Sequence, residues 1–377
     1  MRVLINAILA KRITGGSYQI TQNYIRETVN HKEIEWFYIV SEQLYEDLND
    51  FFQGKNNYVV FPIQPDFKHL LSTQKRVYKV EEDVKPDVIY SIVAPSYYRF
   101  KSDKEIMRFT HPWITHPNKY LVNILGRFGN IKLYLYTFTK VWMMKKCKYF
   151  ITQSETAKKG ICRIIKIKEE FVDVEPNTLP RAYQGIIPNW DKDYSILNIA
   201  YVAAPNKGKN HMIIPDFIKE LSDNYGMRVN VYTTIPDNSP MLDMMNSRAK
   251  ELGVSSQLIN VGYMKQIQLV DLYKKCNYCF FPSVMEVFSA TLLEAMYFHL
   301  PVLASDFSFN SDVCKDSAVY FEPMNYKDAA KQFASFAGNK AIIEEMLEKQ
   351  DLYIKEYLDF SVYFKKSLEF FNKISKL

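Results

Sequence analysis

The stretch Phe280-Phe281-Pro282-Ser283-Val284-Met285-Glu286-Val287-Phe288-Ser289-Ala290-Thr291-Leu292-Leu293-Glu294-Ala295-Met296 decides the fold. An apolar aromatic run ends in a short polar turn that holds a carboxylate, and a helix-forming run with a second carboxylate follows. Strand, turn and helix in that order are the repeating unit of parallel α/β sheets. In such a sheet Glu286 lies at the carboxyl end of a strand, where α/β folds bind ligands. Free backbone N–H groups of about Val287–Ser289 at the helix start attract an anion such as a diphosphate. Carboxylates at that place accept hydroxyl groups in charge-assisted hydrogen bonds. The spacing alone is equally compatible with two solvated glutamates around an ordinary helix start.

The same alternation extends outward in both directions. In the first half the expected strands are Val3–Leu9, Ile34–Val40, Val59–Pro62, Val88–Ile92, Tyr149–Thr152 and Val172–Pro176. The first ends in the turn Thr14-Gly15-Gly16-Ser17, followed by a helix to about Val29, and Glu155–Ile167 reads as another helix. A cluster of Gly, Pro, Asn, Asp and Lys at Gly185–Tyr194 breaks the pattern. After it come the strands Ile196–Val202, Val229–Thr233, Leu258–Val261, Tyr278–Pro282 and Val302–Ala304, alternating with the helices Asn210–Ser222, Met241–Leu252, one ending at Lys275, and Ala290–Phe298. The last forty residues read as helical. This predicts two α/β domains, 1–190 and 191–358, and a terminal helix over 359–377.

Composition agrees. With 377 residues and 47% apolar side chains, the chain can fill two cores, which excludes intrinsic disorder. Lys and Arg number 48 against 42 Asp and Glu, but the excess is uneven. Residues 1–190 carry 28 basic and 19 acidic side chains, and within 99–168 the ratio is 16 to 3. Five cysteines, an odd number, make no disulfide framework, so a reducing cytosol is the expected compartment. The opening apolar run Val3–Ala10 is short and Lys11-Arg12 follow it at once, whereas a signal peptide places its charge before the apolar run and a small-residue cleavage site after it. Leu121–Met144 is interrupted by Arg127, Lys132 and Lys140, so no membrane-spanning segment is expected.

The segment around Glu286 and Glu294 resembles the Glu-x7-Glu motif of retaining glycosyltransferases of family 4, which have the two-domain GT-B fold. Pro282-Ser283, Phe288-Ser289, Glu294-Ala295-Met296 and Leu300-Pro301-Val302-Leu303-Ala304-Ser305 carry the likeness. Weaker echoes are Gly15-Gly16, Gln153-Ser154-Glu155, Pro176-Asn177, Gly262-Tyr263 after Val261, Tyr320-Phe321-Glu322-Pro323 and the aromatic helix Phe360–Ile374. The resemblance implies two Rossmann-like domains facing a cleft, acceptor on the first and nucleotide-sugar on the second, with the last helix crossing back to the first domain. It implies that Glu294 binds the ribose hydroxyls of the donor and that Glu286 orients the transferred sugar. The Val287, Phe288 and Ser289 amides, with Gly262 and Tyr263, would meet the donor. Val287 stands where the motif commonly has Gly; a β-branched residue disfavours positive φ and changes how the backbone approaches the sugar.

Other candidates lie on neighbouring turns. Ala203–His211 follows a strand and holds Lys207 and Lys209, either of which can neutralise a leaving diphosphate; the Arg usual to the family in this loop is missing. Gly15 and Gly16 permit close backbone approach but are not a Gly-x-Gly-x-x-Gly fingerprint. Of His111 and His116, His116 is the candidate for the cleft-facing histidine that the resemblance implies in the first domain. Ile131, Leu135, Phe138 and Trp142 recur at helical spacing among lysines. The default for that stripe is core packing with a solvated face, and the alternative is a surface helix on anionic lipid. Cys276 and Cys279, three apart on a strand, read as buried thiols, and Asp191-Lys192-Asp193 sits in the linker.

The expected activity is therefore sugar transfer from a nucleoside diphosphate sugar to a hydroxyl, with retention and without metal or other cofactor. The partners are the donor, a glycan or lipid-diphosphate-linked acceptor, and an anionic membrane surface; nucleic acid is not expected. The setting is bacterial surface polysaccharide synthesis (O-antigen, capsule or exopolysaccharide), in the cytoplasm or peripheral on the inner face of its membrane. The rivals are a nucleotide-sugar epimerase or hydrolase on the same fold, and a non-enzymatic peripheral membrane protein.

Overall fold

The computed structural model describes residues 1–12, 16–62, 69–96, 98–183, 185–188 and 191–377, with the side chains of Leu121 and Arg127 excepted. Two parallel sheets are present. The first contains β1 (Arg2–Ala7), β2 (Glu35–Ser41), β3 (Tyr58–Phe61), β4 (Val88–Ser91), β5 (Glu105–Arg108), β6 (Tyr149–Thr152) and β7 (Val172–Val174) in the order β3-β2-β1-β4-β5-β6-β7. The second contains β8 (Asn198–Tyr201), β9 (Asn230–Thr233), β10 (Leu258–Asn260), β11 (Tyr278–Phe281), β12 (Val302–Ser305) and β13 (Ala318–Phe321) in the order β10-β9-β8-β11-β12-β13. Both follow the doubly wound pattern, in which the order reverses beside the first strand. The two parallel sheets expected from the alternation are thus present, in the Rossmann-like order that the resemblance implied.

The strands are short apolar runs because helices cover both faces of each sheet. Val3, Leu4 and Ile5 of β1, and Phe280 and Phe281 of β11, have no exposed surface. The strand β5 escaped the periodicity because charged residues bracket it. Their partners come from other parts of the chain. Glu105 accepts a 2.5 Å hydrogen bond from Ser91, and Arg108 pairs at 3.3 Å with Glu175. Both members of the Arg108–Glu175 pair are buried.

By contacts the chain divides into a first unit of residues 1–115, 131–177 and 360–377 and a second of 116–130 and 178–359. The long segment of the second unit starts at Thr178, where the sequence placed a boundary near 190, and Leu179 N–H donates to the Tyr357 carbonyl inside it (2.8 Å). The terminal helix Phe360–Ser375 belongs to the first unit. There Phe364 packs on Tyr24 (4.5 Å between centroids), Phe371 packs on Tyr90 (5.0 Å), and Ser367 donates to Glu175.

The helix Lys119–Met144 is broken at Gly126 (φ 67°, ψ 178°), a conformation open to glycine. Beyond the break, the stripe Ile131, Leu135, Phe138 and Trp142 does not pack into a core. Its members are between 54% and 63% exposed, and Met143 and Met144 supply the buried side instead. Helical periodicity identifies an apolar face but not what covers it. Among the described residues no helix is long and apolar enough to cross a membrane.

Candidate functional site

In the second sheet β8 and β11 are neighbours although two strands intervene in sequence, so the loops after them meet at the order reversal. Val284 N–H donates to the Gly208 carbonyl (2.8 Å), and Ser283 Oγ donates to the same oxygen (3.2 Å). A Cβ on Gly208 would stand 2.7 Å from the Met285 methyl, so the residue between the two lysines is small enough for the loops to touch. Thr291 Oγ1 ties the following helix to the Val202 carbonyl at the end of β8 (3.2 Å).

This junction brings Lys209 and Glu286 together. Lys209 Nζ forms an ion pair with Glu286 Oε1, which also accepts a hydrogen bond from Ser283 Oγ at 2.7 Å. Both side chains are largely buried, at 17% and 14% exposure. Local backbone structure aims the lysine. Asn206 caps a single 3-10 turn, Lys207–Lys209, by accepting from the Lys209 N–H, and Asn210 takes the left-handed conformation (φ 55°, ψ 39°). The helix expected to begin at Asn210 therefore starts at Ile214. Lys207 points to solvent, exposed.

Glu294 goes elsewhere. Its carboxylate is buried and accepts a hydrogen bond from the phenol of Tyr273, with Tyr183 close by. Burial pushes this carboxyl up to about 7, and the tyrosine hydroxyls only partly offset that rise. Glu286 and Glu294, eight residues apart, thus present one carboxylate to a lysine at the sheet's end and one to a tyrosine in the interior.

The helix after Glu286 runs from Ala290 to Tyr297 with Ser289 at its N-cap, so its free N–H groups are those of about Ser289–Leu292 rather than Val287–Ser289. Ser289 is buried and its hydroxyl caps nothing. Phe288 sits in the core edge-on to Tyr357, and buried Val287 is not among the residues with positive φ. Gly262 has φ 75° beside the Asp237 carboxylate, and Tyr263 after it is exposed. Gly16 opens the helix Gly16–Glu27 with open space at its Cα, while Gly15 lies outside the described residues.

His116 does not group with the first unit. It is buried within the second, edge-on to Phe309 at 5.5 Å. The reason is local: Asn118 Nδ2 donates to the Val284 carbonyl (3.0 Å) and Tyr120 meets Phe307 edge-on (5.8 Å), which binds residues 116–130 to the loops after β11 and β12. His111 stays in the first unit, and burial together with Lys140 lowers it to about 4. Cys276 and Cys279 are buried free thiols. Sequence reasoning missed Asn118, Tyr273 and Gly208. Only Gly208 carried a signal, a glycine between two candidate lysines.

Residues 189–356 match the family model described as glycosyl transferases group 1. A stretch of 217 residues is 24% identical to the O-antigen chain mannosyltransferase RfbU of Salmonella typhimurium, covering 57% of each chain. The chain thus spans little more than half the length of that relative. Among solved structures, a glycosyltransferase from Rickettsia africae superposes with TM-score 0.71 at 11% identity, over 99% of this chain and 98% of that one. The Anabaena Alr3699/HepE protein, solved with UDP and glucose, superposes with TM-score 0.68 at 12% identity, over 99% of this chain and all of that one. The fold is GT-B, and the match to glycosyl transferases group 1 falls on the segment that holds Lys209, Glu286 and Glu294.

Proposed function

We propose that this protein is a retaining glycosyltransferase of the family 4 kind that moves a sugar from a nucleoside diphosphate sugar to a hydroxyl acceptor. The ion pair of Lys209 and Glu286 at the order reversal of the second sheet carries this assignment. A diphosphate arriving there gives Lys209 a second anionic partner, and the free amides at the start of Ala290–Tyr297 begin three residues after Glu286. Glu286, released in part from Lys209, accepts hydroxyls of the transferred sugar. Glu294 takes ribose hydroxyls in exchange for the Tyr273 phenol, and His116 contacts the sugar from its place on Phe309.

In the transfer step the bond between the anomeric carbon and the phosphate oxygen breaks while a bond to the acceptor oxygen forms on the same face. The acceptor proton passes to the departing phosphate. Charge develops on the diphosphate, and Lys209 with the helix-start amides stabilises it; no metal is assigned a part. The acceptor in this proposal is a glycan or a lipid-diphosphate-linked glycan of a bacterial surface polysaccharide, handled on the cytoplasmic side. The mannosyltransferase relative supports the polysaccharide setting, and the neighbour solved with UDP and glucose supports the donor class.

Melting temperature against a panel of UDP-, GDP-, ADP- and dTDP-sugars tests the donor, followed by product analysis with and without a lipid-linked acceptor. A stabilising donor and a glycosylated product with retained anomeric configuration are expected. Epimerised or hydrolysed sugar with no transfer overturns the proposal, as does the lack of any stabilising nucleotide-sugar.

A further inference from the structure

The first unit carries a groove of about 610 Å³ that the transfer chemistry does not use. That volume lies within the range of small-molecule pockets, ~300–1,000 Å³. The groove is formed by the start of the helix Leu70–Val84 and the last turns of Lys119–Met144. Leu70, Leu71, Leu135 and Met143 give it an apolar wall, and no carboxylate lines it among the described residues. Its cations are Arg99 and Lys146, and both engage the ring of Trp142. Lys146 Nζ lies 3.1 Å from the ring centroid and the Arg99 guanidinium carbon 5.6 Å. Two exposed cations are thus gathered on one indole, with no carboxylate in the groove among the described residues. Lys146 accordingly falls to about 8, through desolvation first and Arg99 second.

The groove continues into the outward stripe of the same helix, where Ile131, Leu135, Phe138 and Trp142 are each more than half exposed. Contiguous apolar surface of this kind marks an interaction site on a folded protein. The helix that carries it bears one sign of charge: no Asp or Glu lies between Glu105 and Glu155, while Lys132, Lys140, Lys145 and Lys146 lie along its second part and just past its end. Aromatic and aliphatic side chains flanked by lysines, with no acidic residue among them, complement an anionic bilayer surface. A protein partner would usually meet both signs of charge.

We infer that this groove and stripe bind an anionic lipid of a bilayer leaflet, with an acyl chain between Leu71 and Leu135 and the lipid phosphate between Arg99 and Lys146. Trp142 sits at the level of the headgroup, where indole rings concentrate. The site lies in the first unit and the donor residues in the second, so lipid binding measured without any nucleotide tests it separately from the proposed transfer reaction.

Sedimentation of the full chain with phosphatidylcholine vesicles, with and without phosphatidylglycerol, is the experiment. Phosphatidylglycerol vesicles should bind at least ~10-fold more tightly, since each cation near an anionic surface contributes ~1 kcal/mol, and the difference should shrink as salt is raised. The double variant Arg99→Glu/Lys146→Glu should lose that ~10-fold preference, and Phe138→Ser, an exposed position outside the groove, should weaken vesicle binding with an unchanged melting temperature. Equal binding to both vesicle types overturns the inference, as does unchanged binding of both variants. Stabilisation by inorganic phosphate without vesicle binding would make the ligand a soluble anion, and a dimer that protects Trp142 would make the face a protein interface; either result overturns it as well.

Discussion

Lys209 and Glu286 meet as an ion pair at the carboxyl ends of β8 and β11, each less than one-fifth exposed. Partly buried charges of this kind are costly to leave alone, because removing one strands the other away from water. The pair is therefore poised for a ligand that brings negative charge to the lysine and hydroxyls to the carboxylate.

Lys209→Met should lower kcat by ~10²–10³, the scale for deleting a donor that stabilises developing charge. Lys207→Met should leave kcat within about 2-fold, because that side chain is exposed and the ion pair with Glu286 is made by Lys209. Glu286→Gln should reduce turnover by at least ~10-fold while leaving donor affinity nearly unchanged. Steady-state donor consumption and calorimetric titration check all three. Equal losses in the two lysine variants would remove Lys209 from its assigned role.

Donor affinity should rise with pH through about 7. Burial holds Glu294 up to about 7, and only the ionised carboxylate accepts from both ribose hydroxyls. Glu294→Gln should bind donor more weakly and lose this pH dependence. Titration calorimetry of both proteins across the neutral range decides it, and parallel pH profiles would count against Glu294 as the titrating group.

Glu105 offers a test of stability. Burial raises it to about 7, with the Ser91 hydrogen bond opposing. The native state then holds a proton that the unfolded chain releases near its ordinary value. Its stabilising contribution is complete below that value and is lost as pH rises through about 7. Glu105→Gln should accordingly gain stability over the parent on the alkaline side, on the order of 3 kcal/mol at most, and little in mild acid. The buried histidines His111 and His211, both lowered to about 4, act in the opposite sense as pH falls below the ordinary histidine value. Denaturant titrations at mildly acidic and mildly alkaline pH separate the two; a variant equally stable relative to the parent at both would refute the assignment.

Gly160→Ala should destabilise the first unit by ~1–3 kcal/mol, the scale for overpacking. A Cβ there would stand 2.7 Å from the backbone oxygen of Thr115, which cannot rotate away as a side chain could. The helix Glu155–Ile165 must then move off Pro112–Thr115. A melting temperature within a degree or so of the parent would show that the two segments slide apart freely.

Much of the architecture was legible because strands buried on both faces read as short apolar runs, and β1, β6 and β11 all do. The strand β5 was not, since Glu105 and Arg108 belong to a buried strand only by virtue of Ser91 and Glu175, residues remote in sequence. The spacing of Glu286 and Glu294 was legible too. It did not reveal that Glu294 turns to Tyr273, a residue on another helix.

What the sequence determined by itself was the succession of strand, turn and helix and the two carboxylates around one turn, because backbone periodicity and turn chemistry act between near neighbours. Tertiary structure alone decided that Lys209 and not Lys207 meets Glu286, that residues 116–130 join the second unit, and that the stripe from Ile131 to Trp142 faces outward. Each of those outcomes depends on which distant segment supplies a hydrogen bond, a charge or a covering surface, and local pattern carries no record of that partner.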